Sequence, residues 1–303
     1  MTMLIAVAAS IIATDGLSNR FPQIAALEAK LGRPAMCDGC HIGAPGEPQL
    51  VLWGDSHAAA ISPSIRDVAH REKIPGVAFT SPGCPPLIGA QPFTRDEPKS
   101  IRCRAFQEHA LASIEALPRV TTIILAGRWA LATETTRFGD ETRGRSFLRD
   151  SKTDRNSVTE SRRAFAEALP RTVRALTKDH PKARILLIGQ VPEPGFDPAE
   201  CMIRAMMFDR DLSKCATVKS ASRDRLRFSD SLIEQFAADD PQVGAIMLDR
   251  LTCASERCQT MMGITPLYRD VDHLSREGAV AVLRKCLTVA VQNESGCPTA
   301  VIP

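Results

Sequence analysis

Five short apolar runs set the limits on how this chain can fold. They cover residues 50–53 (Leu-Val-Leu-Trp), 76–79 (Gly-Val-Ala-Phe), 120–125 (Val-Thr-Thr-Ile-Ile-Leu), 185–188 (Ile-Leu-Leu-Ile) and 245–248 (Ala-Ile-Met-Leu). Each is too short for a helix, and none alternates between apolar and polar, so each reads as a strand buried on both faces. Helical patterns lie between them, at residues 57–71, 103–117, 158–180 and 274–291, with a further helical stretch within 196–240. In 158–180 the apolar positions Phe165, Leu169, Val173 and Leu176 recur at helical spacing. Strands alternating with helices predict an α/β chain of three layers, α/β/α, around a parallel sheet. Ligands of such sheets bind beyond the carboxyl ends of the strands, where the connecting loops converge. The loops here follow residues 53, 79 and 125. Residues 137–157 are polar and Arg-rich and read as a mobile loop.

The first run ends in Gly54-Asp55-Ser56-His57, directly before a helical segment. A serine on that turn sits at the sheet's carboxyl edge, with helix N-terminal N–H groups pointing toward it, a position that suits a nucleophile. A serine hydroxyl needs a base, and the candidate is His273 in Asp270-Val271-Asp272-His273-Leu274-Ser275. Asp270, three residues earlier, is placed to hold the other ring nitrogen and fix the tautomer. Asp272 is a rival for that role, but its adjacency to His273 is expected to turn it elsewhere. The alternatives are a Gly-Asp-Ser turn of ordinary loop chemistry and a histidine on a capped helix surface.

Of 303 residues, 44% are hydrophobic, enough for one sizeable core. A net charge of +3, without a basic block, argues against nucleic-acid binding. Ten cysteines argue for an oxidising compartment. Their spacings suit local staples such as Cys84–Cys103, Cys201–Cys215 and Cys253–Cys258, with buried free thiols as the alternative. Cys37-Asp38-Gly39-Cys40-His41 also matches the spacing for covalent c-type haem, with His41 as axial ligand. That remote alternative competes with a disulfide. No metal site is expected, because Cys37 and Cys40 lack a second pair at ligand spacing.

The chain resembles the SGNH hydrolase superfamily and, more narrowly, the SGNH domain of membrane-bound acyltransferase-3 proteins, which O-acetylate bacterial surface glycans. The resemblance rests on Leu52-Trp53-Gly54-Asp55-Ser56-His57-Ala58, Cys84-Pro85-Pro86-Leu87, Leu125-Ala126-Gly127-Arg128-Trp129-Ala130 and residues 270–279. It implies an SGNH, flavodoxin-like fold and a triad of Ser56, His273 and Asp270. It also implies an extracytoplasmic (periplasmic) acyltransferase acting on a polysaccharide, lipopolysaccharide or peptidoglycan hydroxyl, with an esterase as the alternative. No cofactor would be bound directly; an acyltransferase-3 membrane domain, in the same or a separate chain, would supply acetyl. Gly83 falls where such enzymes keep an oxyanion glycine. The usual asparagine is missing after residue 125, where Gly127, Arg128 and Trp129 stand. Arg128 is expected to donate to the oxyanion or to an anionic glycan, or else to form a structural ion pair. Trp129 is a candidate sugar platform, His57 is expected to face the rim of the site, and Asp55 is counted with the oxyanion and substrate residues.

The expected organisation is an apolar segment over 1–14, a candidate for the end of a transmembrane helix, and a linker over 15–48. The catalytic domain follows over 49–292, with a tail over 293–303. Gly16-Leu17-Ser18-Asn19-Arg20-Phe21-Pro22 is similar to the segment by which the last transmembrane helix of those proteins leaves the membrane. A weak uncleaved signal peptide is the alternative.

Overall fold

The computed structural model describes residues 37–93, 97–139, 144–253, 255–263, 265–292 and Cys297. The expected apolar segment, residues 15–36 of the expected linker and all of the tail but Cys297 lie outside the described residues. The central sheet takes the order β1 (Cys37–Gly43), β3 (Pro75–Thr80), β2 (Leu50–Gly54), β5 (Thr122–Ala126), β7 (Arg184–Ile188), β9 (Val243–Ile246). All neighbours are parallel except β1, which runs antiparallel to β3. The strand order reverses at β2, between β3 and β5, which opens a crevice at the carboxyl end of β2.

Alternate residues of these strands enter two cores. Val51, Trp53, Ile123, Leu125, Ile185 and Leu187 pack on one face beneath α2 (Glu97–Glu115), α4 (Val158–Asp179) and α6 (Lys219–Asp239). Leu50, Leu52, Ile124, Leu186 and Ile188 pack on the other, against α1 (Ser56–Arg71) and α8 (Arg276–Val291). Burial on both faces is why the strands read as continuous apolar runs. Each fully buried Leu or Ile contributes roughly 1.5–3 kcal/mol. In α4 the apolar stripe Phe165, Leu169, Val173 and Leu176 is buried, and Ser157 caps the helix by accepting from Glu160 N.

The remaining elements are short: α3 (Trp129–Glu134), α5 (Pro198–Met207), α7 (Leu248–Thr252), a 3-10 turn (Leu212–Cys215) and three two-stranded sheets. These pair β4 (Ala90–Phe93) with β6 (Phe147–Asp150), β8 (Thr217–Val218) with β10 (Arg257–Cys258), and β11 (Met261–Met262) with β12 (Thr265–Pro266). Among the described residues, no helix is long and apolar enough to cross a membrane.

Two expectations need correction. Residues 37–43 are not linker but the sheet's edge strand. With one side uncovered, only Cys37 and Ile42 are buried, and a bulge interrupts the register between Asp38 and Cys40, so no strand periodicity shows. Residues 137–157 are not all loop. β6 lies among them, and Asp150 at its end is held by Arg163 of α4 at 2.9 Å.

Cysteine pairs join 37–40, 84–103, 201–215, 253–258 and 286–297. The first pair takes up both thiols that covalent haem would require, and His41 is exposed on the edge strand. The haem alternative is therefore set aside.

Candidate active site

Ser56 is the first residue of α1, at the carboxyl end of β2 and at the sheet's switch point. The turn is tight because Gly54 lies against the backbone carbonyl of Ala126, where a Cβ would collide. Asp55 caps the helix, its Oδ1 accepting from His57 N at 2.8 Å. His273 reaches Ser56 from a loop closed on itself. Arg269 N donates to His273 O at 3.1 Å, and Ser275 N donates to Leu267 O at 2.8 Å. Ser275 Oγ caps α8 by accepting from Gly278 N and itself donates to Pro266 O at 2.7 Å.

The result is a Ser-His-Asp arrangement. Ser56 Oγ and His273 Nε2 are 2.8 Å apart. Nδ1 of His273 lies 3.0 Å from Asp270 Oδ2. Asp270 Oδ1 also accepts from the backbone N–H of His273 at 2.7 Å and of Asp272 at 3.1 Å, so one carboxylate fixes both the loop and the ring. Asp272 does not turn away. Its Oδ1 lies 2.9 Å from the same Nδ1, because Arg128 draws the carboxylate inward.

Burial works against charge on His273, but its hydrogen bonds to Asp270 and Asp272 and their negative charges outweigh it, and its pKa is pushed up to about 9. Burial likewise opposes ionisation of Asp272; His273 and His57 more than compensate and hold it well below the usual carboxylate range.

Beneath this rim lies a buried chain of charges that sequence reading missed. Arg128 Nη1 is 2.7 Å from Asp272 Oδ2, and its Nε donates to Glu193 Oε1 at 2.6 Å. Glu193 Oε2 accepts from Arg225 Nε at 3.0 Å. Arg128 N donates to Asp55 Oδ2 at 2.8 Å. Burial opposes the charge on Arg128, and Glu193, Asp272 and Asp55 overcome it, so its pKa is raised.

A cleft of about 1300 Å³ opens over Ser56 and His273. Gly83 enters its wall because Ser81 N donates to Gly54 O at 3.1 Å, tying the loop after β3 to the end of β2. The Cys84–Cys103 disulfide anchors that loop, and Gly83 takes a left-handed φ of +67°. Phe93 and Phe147, facing each other across the β4–β6 ladder and partly exposed, line the opposite wall.

Several expected site residues have other positions. Trp129 is fully buried, packed edge-on to Phe165, with Nε1 donating to Ile188 O at 2.8 Å; it is not a sugar platform. Arg128 lines the cleft beside Ser56, and its guanidinium and amide are bound to Glu193, Asp272 and Asp55, so the structural ion pair is present at the cleft wall. Gly127 does not line the cleft, and a Cβ there would meet the Trp129 ring at 3.0 Å. Asp55 lines the cleft next to Ser56 and also braces the turn through His57 N and Arg128 N. His57 is buried beneath the rim, its Nε2 3.5 Å from Asp272 Oδ2. The Arg-to-Glu spacing in sequence, from 128 to 193 to 225, carried no local signal; only the polar residues placed straight after apolar strands hinted at it.

Fold and site together define an SGNH-type α/β/α domain. The family model described as "SGNH domain (fused to AT3 domains)" matches residues 25–286, and the chain belongs to that family. It is accordingly an acyl-handling enzyme. No curated protein matches the sequence. Among solved structures, the periplasmic domain of a lipopolysaccharide acetyltransferase from Salmonella ser. Paratyphi A is similar in fold. It has a TM-score of 0.55 and 16% identity, over 82% of this chain and 84% of that one. A carbohydrate esterase aligns with a TM-score of 0.42 and 14% identity, over 84% of this chain and 68% of that one. The second similarity is too low to bear on the site.

Proposed function

We propose that this chain is an extracytoplasmic O-acyltransferase that acetylates a sugar hydroxyl of a cell-surface glycan through an acyl-serine. The observation that carries the reading is the 2.8 Å contact of Ser56 Oγ with His273 Nε2, both of which line the large cleft. In this reading neutral His273 takes the Ser56 proton as Oγ attacks the acyl carbonyl, and Asp270 keeps the ring oriented. The backbone N–H groups of Ser56, in the first turn of α1, and Gly83 would receive the oxyanion; first-turn amides have no intrahelical acceptor. His273 then protonates the leaving group. In the second half it deprotonates the sugar hydroxyl that attacks the acyl-serine, and Ser56 is regenerated.

Family membership supports a membrane partner, since these domains are fused to acyltransferase-3 domains. Such a partner would deliver the acetyl group across the membrane, and no cofactor would be bound by this chain itself. The five disulfides favour a compartment outside the cytoplasm. Water attacking the acyl-serine would make the same residues an esterase, and the open cleft admits it. Mass spectrometry of the surface polysaccharide with and without the gene separates the two. Loss of O-acetyl on deletion supports transfer; a gain would mean removal of acetyl and overturn the transferase reading.

A further inference from the structure

Two carboxylates, not one, face Nδ1 of His273. Asp270 Oδ2 lies 3.0 Å away and Asp272 Oδ1 2.9 Å. They differ in support. The Asp270 side chain is 18% exposed and has Arg269 Nε at 3.4 Å. The Asp272 side chain is 6% exposed, and its second oxygen is gripped by Arg128 at 2.7 Å, with His57 Nε2 at 3.5 Å. Arg128 is itself held by Glu193 and Asp55.

We propose that Asp272, clamped by Arg128, is a second positioning carboxylate that shares with Asp270 the task of holding Nδ1 of His273 and keeping Nε2 turned to Ser56. The proposal rests on reading Ser56 as the nucleophile and His273 as its base. Two neighbouring carboxylates would ordinarily repel, and one would take up a proton. The Arg128 guanidinium offsets that repulsion on the buried side and stops Asp272 from swinging away. Asp270 alone could be drawn off by water or by Arg269; Asp272 has no such freedom.

Among the described residues, the following charged and titratable groups lie against His273, and Arg137 and Arg145 line the same cleft. Asp270 and Asp272 come from its own loop, and Ser56 and His57 from α1, the two imidazole centroids lying 4.7 Å apart. Arg128 acts from the turn after β5 through Asp272, and Arg269 acts through Asp270. The net effect of two carboxylates against two indirect arginines favours the imidazolium, which matches the pKa of about 9.

The test uses the full chain labelled with ¹⁵N-histidine, titrated by NMR, and the pH dependence of Ser56 labelling by a fluorophosphonate. Asp272→Asn should lower the His273 midpoint by about 1–3 units, the scale of one close opposite charge, and lower the labelling profile with it. Asp270→Asn should leave the midpoint above the ordinary 6.5, because Asp272 still faces Nδ1. Either single variant should lose much less than the ~10⁴-fold that removal of a lone orienting carboxylate costs, and the double variant should approach it. An unchanged midpoint in Asp272→Asn overturns the proposal, as does an ordinary midpoint or the whole rate loss in Asp270→Asn alone. If Asp272→Asn does not fold, the rim variant Asp270→Asn still decides. Should wild-type Ser56 not label at all, the nucleophile reading fails, while the NMR midpoints still judge Asp272.

Discussion

The rim of the site and the layer beneath it are both built from charged residues, yet they behave oppositely. At the rim, Ser56, His273 and Asp270 are partly exposed and come from two short segments that meet across the cleft mouth. Below, Asp55, Arg128, Glu193 and Arg225 are buried and come from four separate elements. Groups at the rim can exchange protons with a substrate. The buried ones are locked in pairs, since losing either partner would strand a charge in a medium that cannot solvate it. Asp272 joins the two layers. Asp55 and Arg128 show one edge to the cleft, but their charges are taken up by buried partners, whereas His273 and Asp270 keep a solvent-facing side.

Mutations separate the rim from the layer beneath it. Ser56→Ala should abolish acyl-ester turnover, by about 10⁶-fold on the scale of a lost triad serine, while thermal unfolding stays where it was. A coincident fall in stability would mean that Ser56 belongs to the structural layer. Glu193→Gln should do the reverse. It leaves Arg128 and Arg225 without their shared counter-charge, and denaturant unfolding should show a loss of about 3–5 kcal/mol, with residual activity tracking the folded fraction.

The pH dependence sharpens the same contrast. His273 must be neutral to act as base, and its pKa is about 9. Below that value kcat/KM should fall about tenfold per pH unit, and it should level off above it. Stability moves the other way. The folded-state pKa lies above the ordinary imidazole value, so the His273 contribution is full below pH ~6.5 and is lost as pH rises through about 9. Activity and stability profiles crossing in that window would support the assignment; a flat activity profile between pH 7 and 9 would count against it. The smallest effect belongs to the scaffold of the loop. Ser275→Ala removes the cap of α8 and the bond to Pro266, and should lower stability by about 1–2 kcal/mol, read by thermal melts.

Much of the fold was legible because strands buried on both faces leave continuous apolar runs, as in residues 185–188. β1 was not, because an edge strand bears the core on one side alone and its bulge destroys even that period. Ser56, Asp270 and His273 were legible because each sits in a local pattern, a strand-to-helix turn or an i, i+3 pair. Trp129 was misread because its neighbour in sequence lies at the site while its ring turns into the core under α4. The Arg128–Glu193–Arg225 chain left no pattern, as its spacing is set by the sheet and not by any helix or turn. Asp272 was misread because adjacency to His273 implied divergence, which Arg128 reverses.

If Ser56 is the nucleophile and His273 its base, Ser56 becomes acylated during turnover. Incubation with an activated acetyl ester, rapid acid quench and peptide mass spectrometry test it most directly. An acetyl adduct is expected on the peptide bearing Ser56, absent in Ser56→Ala and strongly reduced in His273→Ala. An adduct on another residue, or undiminished ester turnover by Ser56→Ala, would contradict it.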